Sequence, residues 1–205
     1  DMVFIAVKPY HADDLFEKMK PMINDGQIFV SLMAGVTIGS IQESLGVKKV
    51  VRTMRNLPAQ VGKGVTSYTE SEEVSRIELL MIRNLLDTTG ASIHVETENF
   101  IDASTGISGS GPAYVFEFTC ALEQAAKEIG LSDKLSIDLA KQTVIGAAKL
   151  MEKSNFHPEE LRNQVTSPNG TTQAALESFA SSQLRKVVSL AAQAAKNRSI
   201  ELSDA

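Results

Sequence analysis

Met2-Val3-Phe4-Ile5-Ala6-Val7 is an unbroken apolar run, followed by Lys8-Pro9 and then by a helical amphipathic pattern over residues 12–22. Such a run is the length of a strand and too short for a buried helix, and apolar side chains at every position predict a strand covered on both faces. The arrangement recurs along the next ninety or so residues, with apolar runs at 28–32, 49–54, 64–68 and 92–95 and helical patterns at 12–22, 38–45 and 72–87. Strands alternating with helices at this spacing build βαβ units, so residues 1–98 are expected to form an α/β domain with a mainly parallel sheet.

From about Phe100 the strand signal vanishes and helical segments follow at 112–129, 133–153, 158–165, 172–181 and 183–198. Gly130-Leu131-Ser132-Asp133 provides a helix stop and then an N-cap start, and His157-Pro158-Glu159-Glu160 places proline and acids in a first turn. Residues 99–205 are therefore expected to form an all-α domain. Its helices are apolar on more than one face, as at Leu139-Ala140, Val144-Ile145, Ala147-Ala148 and residues 187–195. A small bundle cannot cover such faces alone, which predicts burial against a second copy.

Composition narrows the function classes. A chain of 205 residues that is 43% hydrophobic can bury one large core or two smaller ones. With a net charge of −5 and no basic run longer than Lys48-Lys49, nothing draws the chain to nucleic acid or an anionic membrane, and a small ligand is the expected partner. The single cysteine, Cys120, excludes an intrachain disulfide and a thiolate metal site, and it reads as core packing in a reducing compartment. No apolar stretch reaches the roughly 20 residues needed to span a bilayer, and no basic segment precedes a hydrophobic one at the amino end, so a cytoplasmic protein is expected. His11, His94 and His157 are too far apart in sequence to suggest a metal site.

The richest stretch for chemistry is Val165-Thr166-Ser167-Pro168-Asn169-Gly170-Thr171-Thr172. It offers hydroxyls, a glycine that permits close backbone approach, and the free N–H groups of a helix beginning near Thr172, which together can receive a small carboxylate without a cationic side chain. The same residues also suit an ordinary N-cap preceded by a Pro-Asn turn, and the residues alone leave both uses open.

In register with Ala175-Leu176 and Glu177, this stretch resembles the signature of pyrroline-5-carboxylate reductases. Three further stretches resemble the same family in the same order: Ala6-Val7-Lys8-Pro9, Ser31-Leu32-Met33-Ala34-Gly35-Val36 and Thr105-Gly106-Ile107-Ser108-Gly109-Ser110-Gly111-Pro112-Ala113-Tyr114. The resemblance spans essentially the whole chain. It implies a doubly wound, Rossmann-like dinucleotide-binding domain over residues 1–98 and a helical dimerisation and substrate-binding domain over 99–205. The implied activity is reduction of the cyclic imine 1-pyrroline-5-carboxylate to L-proline with hydride from NADPH or NADH, by a homodimer or a higher oligomer. By the same resemblance Ala6, Val7, Lys8, Pro9, Leu32, Met33, Ala34 and Gln164 contact the cofactor. Val165, Ser167, Gly170, Thr171 and Thr172 hold the substrate, and the Thr172 hydroxyl faces the imine nitrogen, orienting it or relaying a proton.

Two departures from the family pattern carry expectations of their own. Arg52-Thr53-Met54-Arg55-Asn56-Leu57-Pro58 resembles the family's Arg-x-Met-Pro-Asn-Thr-Pro, with Arg55 in place of proline and Leu57 in place of threonine. No G-x-G-x-x-G turn is present, since Gly106, Gly109 and Gly111 have the wrong spacing, and the family's first strands and phosphate-binding turn read as missing. That predicts an open sheet edge and weakened cofactor binding, and it raises an alternative in which the chain is a cofactor-deficient, oligomeric binding protein without turnover. A hydroxyacid-type dehydrogenase is disfavoured because Lys141 and Lys149 lie in no motif of that class. Ser110 and Pro112 read as the N-cap and first turn of a helix rather than as chemistry.

Overall fold

In the computed structural model, which describes residues 1–203, five strands form one sheet in sequence order: β1 (Met2–Ile5), β2 (Ile28–Ser31), β3 (Val50–Arg55), β4 (Gly64–Glu70) and β5 (Gly90–His94). β1 runs parallel to β2 and β2 to β3, β4 is antiparallel to β3, and β5 is parallel to β4, so the sheet is mainly parallel as its apolar runs predict. Among the described residues β1 and β5 are its two edges.

Side chains alternate between the two faces, and each face has its own core. Ile5, Phe29 and Val50 pack with Phe16 of α1 (Ala12–Met19) and with Ile41 and Leu45 of α2 (Ile38–Leu45). Ile28, Val30, Val51 and Tyr68 point the other way, onto Ile82 and Leu86 of α3 (Arg76–Leu86). Local chemistry sets the helix ends. The Thr37 hydroxyl accepts the Ser40 N–H ahead of α2, Gly46 ends that helix in the left-handed region, and Ser75 and Glu78 close a capping box at the start of α3.

Ahead of the expected helix at 112–129 lies helical structure that the sequence pattern does not assign. Residues 98–110 form α4 (Glu98–Ser104) and a π-helical stretch, Thr105–Gly109, that runs into α5 (Gly111–Glu128). Ser110 therefore keeps helical dihedrals, φ −85° and ψ −19°, and its N–H donates to the Thr105 carbonyl at 2.8 Å; it is not the N-cap its sequence context predicts. A π stretch places residues i and i+5 in register, a spacing that helical patterns of apolar residues do not announce.

Beneath this stretch lies a buried ionic cluster. Arg52, 2% exposed in the middle of β3, donates from Nη2 to Asp102 at 2.8 Å and from Nη1 to Glu98 at 3.0 Å. Ser199 donates to the same Asp102 oxygen at 2.9 Å, and Glu98 also accepts the Ile38 N–H at 2.9 Å. One guanidinium thus ties β3 to α4, to the start of α2 and to the last turns of α9 (Leu184–Ser203). Gly106 lets α9 come close, since a Cβ there would lie 2.6 Å from the Ala192 carbonyl oxygen.

The chain divides into two compact units, one of residues 1–112 with the stretch from Ala191 onward, the other of residues 113–190. The second unit is helical, built on α5, α6 (Asp133–Lys153), α7 (Pro158–Gln164), α8 (Thr171–Ser181) and the first turns of α9. Among its described residues Ala140 is the buried hydrophobic side chain, while Val115, Phe116, Leu139, Ile145, Val187 and Val188 are exposed. Cys120 is exposed as well, in an apolar groove of about 360 Å³ with Phe116, Ile137 and Val144, so within one chain it is not the core residue its sequence context predicts. No described helix is long and apolar enough to cross a membrane.

Candidate active site

β1 ends at Ile5, earlier than its apolar run, and residues 6–9 leave the sheet at the carboxyl ends of the parallel strands. Here doubly wound sheets place their ligands. The turn after β2 emerges at the same edge, and together these segments line a cavity of about 310 Å³. Ala6, Val7, Lys8, Pro9, Leu32, Met33 and Ala34 all line it, joined by Met54 and Arg55 from the end of β3. Met33 is 1% exposed and packs into the core with Ile5 and Phe29, so its bulk sits below the cavity floor and does not fill the cleft.

Lys8 and Arg55 are exposed, and neither has an ion-pair partner among the described residues. No carboxylate is among the lining residues described. Two uncompensated cations among backbone groups and small apolar side chains fit an anionic dinucleotide. Lys8 lies where the family resemblance implies, and Arg55, opposite Thr66 in the ladder, owes its direction to strand register, which the sequence does not give. Asn56, a retained motif residue, is structural: its side-chain amide donates to the Ser108 carbonyl at 2.9 Å and accepts the Val65 N–H at 2.8 Å.

The second set of expected residues is contiguous in the helical unit. Gln164 is the exposed last residue of α7, and Val165, 64% exposed, begins the loop into α8. Two hydrogen bonds set that loop, from the Gly170 N–H to the Ser167 carbonyl at 3.0 Å and from the Asn169 N–H to the Gln173 side chain at 2.8 Å. Asn169 takes the left-handed region, φ 59°, which asparagine tolerates better than most residues. Gln173 is a contributor that the sequence pattern did not single out; its place at the third helical position after a Pro-Asn-Gly turn was the available signal.

Gly170 is the N-cap residue of α8, and no side chain caps the helix. The Ser167 hydroxyl makes no N-cap bond to α8. The first intrahelical bond runs from the Ala174 N–H to the Gly170 carbonyl, leaving the N–H groups of Thr171, Thr172 and Gln173 at the open positive end of the helix. Thr172 is half-buried in that first turn, with Thr171 and Ser167 exposed beside it. A Cβ on Gly170 would overlap Ser167 Oγ, so glycine keeps the hydroxyl in place. Donors from three amides and adjacent hydroxyls, with the helix dipole behind them, suit a carboxylate.

Comparison with known proteins agrees in both units. Residues 98–202 match the family model described as pyrroline-5-carboxylate reductase dimerisation. The chain is 36% identical over 205 residues to pyrroline-5-carboxylate reductase 2 of Bacillus subtilis, covering 100% of this chain and 73% of that relative. It superposes with a TM-score of 0.92 on the pyrroline-5-carboxylate reductase of Coxiella burnetii, at 35% identity over 98% of this chain and 76% of that one. It also superposes with a TM-score of 0.88 on the Plasmodium falciparum pyrroline carboxylate reductase with NADP bound, at 30% identity over 99% and 77% of the two chains. Matched in sequence from end to end and in structure across nearly its whole length, the chain belongs to the pyrroline-5-carboxylate reductase family.

Proposed function

We infer that this chain reduces 1-pyrroline-5-carboxylate to L-proline with NADPH or NADH, the last step of proline biosynthesis. The observation that carries this reading is the N-terminus of α8, which no side chain caps, in the same chain as a cation-lined cleft at the ends of β1, β2 and β3. The names of its relatives, one of them solved with NADP bound, agree with it.

When bound, a reduced nicotinamide supplies the hydride. The residues of the chain do the rest. Residues 6–9 and 32–34 bind the dinucleotide against the sheet edge, and Gln164 contributes from the end of α7. The amides of Thr171 and Thr172 and the Ser167 hydroxyl anchor the substrate carboxylate, Gly170 gives it room to approach, and Val165 borders it. Fixing the carboxylate leaves the imine carbon with one orientation toward its hydride donor, which is the main rate advantage a positioned pair of reactants gains. Thr172, in the first turn, holds the imine nitrogen through its hydroxyl; being a weak acid, it orients the protonated nitrogen or relays a proton from water.

In this proposal residues 1–98 carry the cofactor and residues 99–205 the substrate site and the dimer contact. The homodimer forms through the exposed apolar faces of α5, α6 and α9, which leave the helical unit almost without a core in one chain. The setting is the cytoplasm, where a lone free thiol such as Cys120 stays reduced. Incubating the purified protein with 1-pyrroline-5-carboxylate and NADPH, and separately with NADH, is expected to yield L-proline in step with cofactor oxidation. Oxidation without proline, or proline without oxidation, would contradict the reading.

A further inference from the structure

Met54, half-buried near the end of β3, lines the cleft with residues 32–34 and packs against Gly109 of the π-helical stretch. A Cβ on Gly109 would lie 2.8 Å from the Met54 methyl and 3.4 Å from Thr105 Cγ2. Carbon atoms pack at about 3.5–4.0 Å, so any larger residue at 109 must displace the Met54 side chain. Methionine is unbranched and flexible, which makes that displacement cheap for the fold. Its consequence falls on the cleft, the open space that Met54 borders.

Gly109 reaches this place because of the way residues 105–109 are wound and held. In an α-helix the Ser108 carbonyl would accept the N–H of residue 112, but Pro112 has none. The Asn56 side-chain amide donates to that carbonyl at 2.9 Å, and the same side chain accepts the Val65 N–H at 2.8 Å. The Ser67 hydroxyl, opposite Met54 in the ladder, meets the Ser104 hydroxyl at 2.6 Å. These contacts, all within the first compact unit, register the π stretch on β3 and β4 around Met54. We propose that Gly109 is a positioning residue for the cofactor: fixed against β3 through the hydrogen bond between Asn56 and Ser108, it leaves the Met54 side chain room to lie back and so keeps the cleft open to the dinucleotide. The proposal rests on the reading of this cleft as the cofactor's.

The test is equilibrium binding of NADPH to the full chain and to its Gly109→Ala, Met54→Ala and doubly substituted forms, with thermal melting as the check on folding. Gly109→Ala is expected to weaken NADPH binding roughly five- to tenfold, with a melting temperature close to that of the parent. In steady-state kinetics the same change is expected in the KM for NADPH, with kcat largely kept. In the Met54→Ala background, where the displaced side chain is gone, Gly109→Ala is expected to have no further effect on affinity, a dependence that general damage to the helix would not show. An affinity indifferent to Gly109→Ala, or a loss of equal size with and without the Met54 side chain, would overturn the proposal. The two readings fail separately: if the chain binds NADPH and forms no proline, the proposed reaction fails while the binding cycle still decides the role of Gly109, and a chain that binds no NADPH overturns both.

Discussion

Thr172 is the side chain on which the proposed chemistry turns, and its position in the first turn of α8 separates binding from reaction. Thr172→Val keeps the shape and the backbone donors and removes only the hydroxyl, so kcat is expected to fall roughly ten- to a hundredfold with a smaller change in KM, while Thr172→Ser retains most of the rate. Steady-state kinetics reads the difference, and an equal fall for serine and valine would point to packing. At the buried cluster, Asp102→Ala removes one of the two carboxylates paired with the buried Arg52, and a loss of about 3 kcal/mol in unfolding free energy is expected by urea denaturation. Glu78 provides a pH signature. The Lys49 ammonium, 2.6 Å away, and then the N–H and hydroxyl of Ser75 hold its carboxyl down from the usual 4.5 to about 2. A depressed folded value stabilises the protein above 4.5 and loses that contribution as pH falls toward about 2, so the urea midpoint is expected to drop across that window and to drop less in Glu78→Gln. At this scale the hydroxyl- and glycine-rich loop of residues 165–172 could be located from the sequence because its residues are contiguous. The sequence was silent on Gln173, and on the outward aim of Arg55, because those depend on turn geometry and strand register.

Elements announced themselves where their boundaries are chemical. α2, between Thr37 and Gly46, and α6, beginning after Ser132, start and stop where caps and stop signals predict. The last two residues of the β1 apolar run are not in the strand: they turn away to line the cleft, and an apolar run says nothing about where pairing ends. α4 and the π stretch were illegible because seven polar and apolar residues with no clear period precede a glycine cluster, and what organises them is the distant Arg52. The over-apolar helices of the second unit were legible as a demand for a partner. Phe116, 55% exposed in the α5 groove, carries the matching expectation. Phe116→Asp is expected to shift the sedimentation coefficient toward a single chain, and an unchanged oligomer would move the dimer contact elsewhere.

For the molecule as a whole, an α/β unit and a helical unit could be read from the change in periodicity near Phe100, and the family from four ordered motifs spread over both. The net charge of −5 gave no hint of the local cationic cleft, since Lys8 and Arg55 are far apart in sequence and meet only because β1 and β3 flank β2 in a parallel sheet. The central claim is that this chain transfers a hydride and does not merely bind its ligands. The most direct test uses NADPH carrying deuterium at the reducing position of the nicotinamide, with 1-pyrroline-5-carboxylate and the purified protein, and reads the L-proline by mass spectrometry. One deuterium on the ring methylene next to nitrogen, away from the carboxylate, is the result this account predicts. Ligands that bind but give no deuterated proline would contradict it and would make the chain a binding protein of reductase fold.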